Sequence, residues 1–157
     1  LTFNSNNSTM LVQAATAPGS ARFLVLNTLT YNAITINDPA QTTIRPLGQT
    51  GNATITTLTF LNSKWFQVVG GGTLTVTNGF SWSATAAAPS LLNSQSANNG
   101  FTLSVGGTVT MSGIAIQNLT KAGAGSITAT NSIDLGGNSG VTITPPSSGG
   151  GARIISG

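Results

Sequence analysis

The chain of 157 residues has no cysteine and no histidine, and only seven of its residues carry a formal charge. Without cysteine there is no disulfide, no thiolate metal site and no thiol redox centre. Without histidine, neither a Ser-His-Asp nor a Cys-His site can be built. Glutamate is missing as well, so Asp38 and Asp134 are the entire carboxylate inventory. A carboxylate-pair glycosidase needs its two carboxyls within about 5–10 Å. In a stack of strands about 4.8 Å apart, two residues this far apart in sequence do not meet. Calcium usually takes two or more carboxylates. The segment Leu135-Gly136-Gly137-Asn138-Ser139-Gly140 has no carboxylate of its own, and only Asp134 precedes it. No catalytic residue, no cofactor and no metal is expected. Asp38, before Pro39, reads as a turn former, and Asp134 reads as a solvent-facing strand residue.

Charge is scarce: 4% of the chain, against about 25% in an average soluble domain. The net charge is +3, from the dispersed Arg22, Arg45, Lys64, Lys121 and Arg153. No basic patch can be drawn through them, so nucleic acid is not an expected partner. Gly70-Gly71-Gly72 is followed by no Gly-Lys-Ser/Thr, so it is no phosphate loop. No run of 18 apolar residues predicts a membrane span. Helix formers such as Glu, Lys and Arg are nearly missing, which argues against a helical fold. The chain opens on Leu1 rather than Met, which reads as a mature product or an excised part of something longer.

What the chain does contain is Gly, Ser, Thr and Asn, 77 residues in all, beside 39% hydrophobic residues. The apolar residues alternate with hydroxyls at strand period, which separates this composition from disorder. The clearest stretch is Gly71–Ser83. In Thr73-Leu74-Thr75-Val76-Thr77 the apolar side chains point one way and the threonines the other. Asn78-Gly79 predicts a corner, and Phe80-Ser81-Trp82-Ser83 a second short strand. Leu74, Val76, Val109, Met111 and Ile127 are the predicted core, with Thr73, Thr75, Thr108, Thr110 and Thr128 outside.

The unit recurs. Ala124–Gly136 matches it at a shift of 53, placing Ile127 on Leu74, Asn131 on Asn78, Ile133 on Phe80 and Leu135 on Trp82. Gly106–Ile116 has the same form with a shorter corner, and Thr57–Asn62 is a fainter copy. The starts at Thr57, Thr73, Thr108 and Ser126 predict a repeat of about 16 to 18 residues, the mark of a stacked architecture. The expected fold class is therefore all-β, a parallel β-helix (β-solenoid) of short coils, with a β-sandwich or jelly roll as the alternative. The β-solenoid domain is placed at 1–144, with an irregular protruding loop at about 84–100. Residues 145–157 form a Pro/Gly/Ser linker and a terminal apolar segment.

These units resemble the coils of filamentous-haemagglutinin-like and autotransporter-type β-helical surface proteins, over about residues 54–144. The likeness lies in the pattern of short coils. It implies a parallel β-helix at a bacterial surface, non-enzymatic in its shaft, and a phage fibre or spike module can look the same. The expected role is thus a structural or adhesive module of an extracellular fibre, cell surface or virion. Its expected partners are copies of itself, further coils of a longer chain, or surface glycans. One alternative is a carbohydrate-binding or carbohydrate-processing phage spike, with Tyr31, Trp65, Phe66 and Trp82 as sugar-stacking aromatics. The other is an ice-binding solenoid, with Thr73, Thr75, Thr77, Thr108, Thr110, Thr128 and Thr130 as a flat hydroxyl face. Sequons at Asn6, Asn7, Asn52 and Asn118 are of the kind that chance yields in such a composition. Neither end carries a visible charged cap, since Leu1-Thr2-Phe3 and Arg153-Ile154-Ile155 are mainly apolar.

Overall fold

A computed structural model describes residues 9–13, 22–25, 30–37, 47–50, 52–61, 64–85 and 88–147. Among them there are fifteen strands and no helix. The larger sheet holds β1 (Thr9–Gln13), β3 (Thr30–Asn37), β5 (Ala53–Phe60), β7 (Thr73–Ser83), β9 (Phe101–Val105), β10 (Val109–Ser112), β12 (Leu119–Ala122), β13 (Ile127–Thr130) and β15 (Thr142–Ile143). The smaller sheet holds β2 (Arg22–Val25), β4 (Leu47–Thr50), β6 (Trp65–Val68), β8 (Ser90–Ser94), β11 (Ile114–Ile116) and β14 (Ile133–Asp134). All strand–strand pairings in both sheets are parallel. Sandwiches and jelly rolls are built from antiparallel strands, and these sheets are not.

The period-2 pattern does what it predicted. Leu74, Val76, Val109, Met111 and Ile127 are all buried, while Thr73, Thr75, Thr108, Thr110 and Thr128 are half-buried or exposed. Register turns these alternations into columns. Val12, Ile36, Phe60, Trp82, Met111, Ala129 and Ile143 are successive partners along one inward column. Stacking follows from that register: the rings of Phe60 and Trp82 lie 4.2 Å apart at 18°. Phe66, from the smaller sheet, meets Phe60 edge-on at 5.0 Å and 71°. The core therefore lies between the two sheets, and aromatic contacts of this kind add to area burial.

The spacing differs from a constant 16 to 18. Thr30 pairs with Thr54, Thr54 with Thr75, Thr73 with Thr102, Val109 with Ile127 and Thr128 with Thr142. A pass through the larger sheet thus takes 24, 21, 29, 18 and finally 14 residues. Ile127 does not stack on the Leu74 column. Leu74 pairs with Leu103, whereas Thr128 reaches Ser81 through Thr110, a shift of 47 and not 53. The cause is β7. It is one continuous strand of 11 residues, and Asn78-Gly79 does not turn it. A register shift against β5, between Ile55 and Thr57, absorbs the extra residue as a bulge. On the next pass the strand divides. β9 pairs with the first half of β7 and β10 with its second half.

The stretch 84–100 is not one protruding loop. β8 runs through its middle, pairs with β6 and β11, and buries Ser90, Leu92 and Ser94. The bridges Thr85–Ala88 and Ser96–Asn99 lie on either side of it. The two columns on the larger sheet also end differently. One continues to Ile143. In the other, Lys121 stands where Leu74 and Leu103 stand on earlier passes. It is half-buried, and its ammonium donates to the carbonyl of Gly123 at 2.6 Å. A lysine in that place covers apolar surface with its stem and keeps its charge at the rim. The terminal segments Leu1-Thr2-Phe3 and Arg153-Ile154-Ile155 lie outside the described residues.

Candidate functional site

Of the two carboxylates, Asp134 alone lies among the described residues. Asp38 lies outside the described residues. Asp134 is exposed beside Ile116 in the strand register, and its carboxylate closes the turn that follows. It accepts from the backbone N–H of Gly136 at 2.8 Å and from the Asn138 amide at 2.6 Å. The same Asn138 donates to the carbonyl of Ile116 and accepts from the N–H of Leu119. Asp134 is therefore spent on backbone geometry. No group of three or more His, Cys, Asp or Glu able to hold a metal is found among the described residues.

The aromatics named as sugar platforms are mostly core. Tyr31, Phe66 and Trp82 are buried, and Trp65 is half-buried with its indole N–H donated to Asn93 at 2.8 Å. Of the sequons, Asn52 uses its side-chain oxygen to accept from the N–H of Thr73 at 2.8 Å. Asn118 sits at φ +58 and donates to the carbonyl of Ala97. Asn6 and Asn7 lie outside the described residues. Gly71 takes φ +74 and donates to Gly100, which makes the triple glycine a turn between strands.

What the fold does assemble is hydroxyls. Outward positions stack in the same register as inward ones, so alternation in sequence becomes ladders in space. Thr35, Thr59, Ser81, Thr110, Thr128 and Thr142 are successive partners across the larger sheet from β3 to β15. Two residues further along each strand, Ser83, Ser112 and Thr130 form a parallel ladder. Over the first half of β7 a separate ladder runs through Thr30, Thr54, Thr75 and Ser104. Beside it, Thr54, Thr73 and Thr75 line an open depression of about 290 Å³ with Asn52 and Ala53.

The expected flat face is thus divided. Thr73 and Thr75 belong to one set of ladders, Thr108, Thr110, Thr128 and Thr130 to another, and Thr77 sits at the bulge between them. The threonine pattern alone leaves out the serines of this face, Ser81, Ser83 and Ser112 above all. The signal was present as a hydroxyl-x-hydroxyl pattern, which Ser81-Trp82-Ser83 and Thr110-Met111-Ser112 satisfy as well as any Thr-x-Thr. The hydrogen bonds seen inside this array are long. Ser126 reaches Thr108 at 3.5 Å and Thr130 reaches the carbonyl of Met111 at 3.4 Å. The array presents mainly solvated hydroxyls and methyls, with no charged residue in either ladder. Compared with protein-family models, with curated proteins and with solved structures, the chain matches none.

Proposed function

We propose that this chain is a stretch of parallel β-helix and serves as a non-enzymatic structural or adhesive module of an extracellular fibre or surface protein. The observation that supports it most is the register kept along one side of the β7 bulge. Seven inward residues stay in line from β1 to β15, and six outward hydroxyls from β3 to β15, although the passes differ in length. Such a stack is stiff, and it is extended by repetition and not by a new core. Its working partners are copies of itself or further coils of the same polypeptide. The resemblance to β-helical bacterial surface proteins favours an extracellular, cell-surface or virion setting. The scarcity of catalytic side chains favours a role without chemistry.

The reading also accounts for the edges. Among the described residues β1 pairs on one side only, with β3, and β15 on one side only, with β13. Met10, Val12, Val141 and Ile143 pack against the core without being fully buried. An open strand edge is a template for another strand. Sedimentation velocity and light scattering on the isolated chain test this, with association rising with concentration as the expected result. Leu11, 57% exposed on edge strand β1, gives a variant with little folding cost. Leu11→Lys places a charge on that edge and is expected to weaken association. A stable monomer at every concentration would overturn the proposal.

A further inference from the structure

We infer that the outer face of β7, β10, β13 and β15 is an ice-binding surface. The inference rests on the parallel ladders and not on end-to-end assembly, so the two readings fail separately. The ladder Ser81–Thr110–Thr128–Thr142 and its neighbour Ser83–Ser112–Thr130 form a two-dimensional lattice. Rungs repeat at about 4.8 Å along the stack, and the ladders stand about 6.6 Å apart across it, two residues of parallel strand. The rung spacing is close to the shorter oxygen repeat of hexagonal ice, and the ladder spacing lies somewhat below the longer one.

Three properties of the face suit a solid water surface. The lattice is held from behind by the buried Trp82, Met111 and Ala129, so the spacing is fixed by core packing. Four of the seven lattice positions are threonine, whose restricted χ1 arranges hydroxyl and methyl before binding, so little side-chain freedom is lost there on contact. The ladders contain no charged or long side chain to hold a disordered hydration shell between protein and crystal. A crystalline polysaccharide is the competing flat ligand. Its recognition draws on exposed aromatic rings and paired amide or carboxylate groups, and the lattice offers none: Trp82 is turned inward and Asp134 is engaged in its own turn.

The test uses the full chain, measuring thermal hysteresis, inhibition of ice recrystallisation and uptake into a slowly growing ice hemisphere. Thr110→Tyr and Thr128→Tyr each put a ring through the lattice at a strand position, where tyrosine is well tolerated. Asn98→Tyr, at an exposed turn, is the control. The full chain and Asn98→Tyr are expected to shape ice and enter it. Both threonine variants are expected to lose most of the hysteresis while keeping the parent's circular dichroism, melting temperature and sedimentation. If one of them unfolds, the other decides. A chain with no effect on ice growth would overturn the inference. So would hysteresis untouched by a folded Thr110→Tyr or Thr128→Tyr, or binding to crystalline cellulose or chitin without binding to ice.

Discussion

Asn78 and Asn131 end the same kind of alternation, Thr-Val-Thr-Asn and Thr-Ala-Thr-Asn, and only one of them turns the chain. Asn131 takes φ +50 and starts the crossing to the smaller sheet, while Asn78 stays inside β7. Local sequence carries the tolerance for a positive φ; the neighbouring pass decides whether it is used. At Asn78 the preceding strand, β5, runs straight past, and pairing with it holds β7 extended. The glycines of the next two passes, Gly106-Gly107 and then Gly125, do turn, and they do so in close contact. A Cβ on Gly125 would lie 1.9 Å from the carbonyl oxygen of Gly107. Gly125→Ala is therefore expected to destabilise the fold by about 2–3 kcal/mol or more, in the range of overpacked interiors. Gly136, where an added Cβ meets nothing within 4 Å, is the comparison. Gly136→Ala meets only the penalty of a left-handed backbone, about 1–2 kcal/mol. Chemical denaturation of the two variants checks the order, and a smaller loss for Gly125→Ala than for Gly136→Ala would contradict the packing argument.

At the level of the element, orientation was legible and stacking was not. Alternation assigns the inward and outward faces of β7, β10 and β13 without reference to anything else, and all five predicted core residues are buried. Which strand lies on which depends on pass length, and that is set by turns whose size the alternation does not encode. β8 shows the same limit. Ser90-Leu91-Leu92-Asn93-Ser94 carries serines at two inward positions, so its polar-looking surroundings hid a strand paired on both sides. The candidate site was legible to the same degree. Threonines were expected outside, but their division into two sets of ladders follows from the bulge in β7. Pairing on both sides has a measurable consequence. β10 lies between β7 and β13, whereas β15 pairs only with β13 among the described residues. Local opening is easiest at such an edge. Amide hydrogen exchange at Thr110–Ser112 is expected to be at least about ten-fold slower than at Thr142–Ile143, roughly 1.4 kcal/mol of extra protection. Equal rates would mean that β15 is covered by a further strand.

For the molecule as a whole the deciding quantity is charge, or the near absence of it. Most proteins keep their strand edges apart with lysines, prolines and inward-pointing charges. Here one column has such a residue in Lys121, while the adjoining column runs on to the apolar Ile143. The smaller sheet's last described strand, with the residue after it, leaves Ile133 and Leu135 37% and 46% exposed. Contact between copies, or between this segment and further coils, would join backbone N–H and C=O groups and bury these apolar side chains. Neither contribution depends on ions. Long-range repulsion is also slight, with a formal net charge of +3 spread over five separated cations and two aspartates. Association is therefore expected to change little, within about two-fold in apparent affinity, when salt is raised from ~0.01 M to ~1 M, although the Debye length falls from about 30 Å to about 3 Å. If anything it should strengthen slightly, since screening removes the remaining repulsion. Sedimentation equilibrium across that series reads the outcome. A complex that dissociates by 1 M salt would show that ion pairs hold it, and the contact would then have to be sought at Lys64, Lys121 or the arginines and not at the open ends of the sheets.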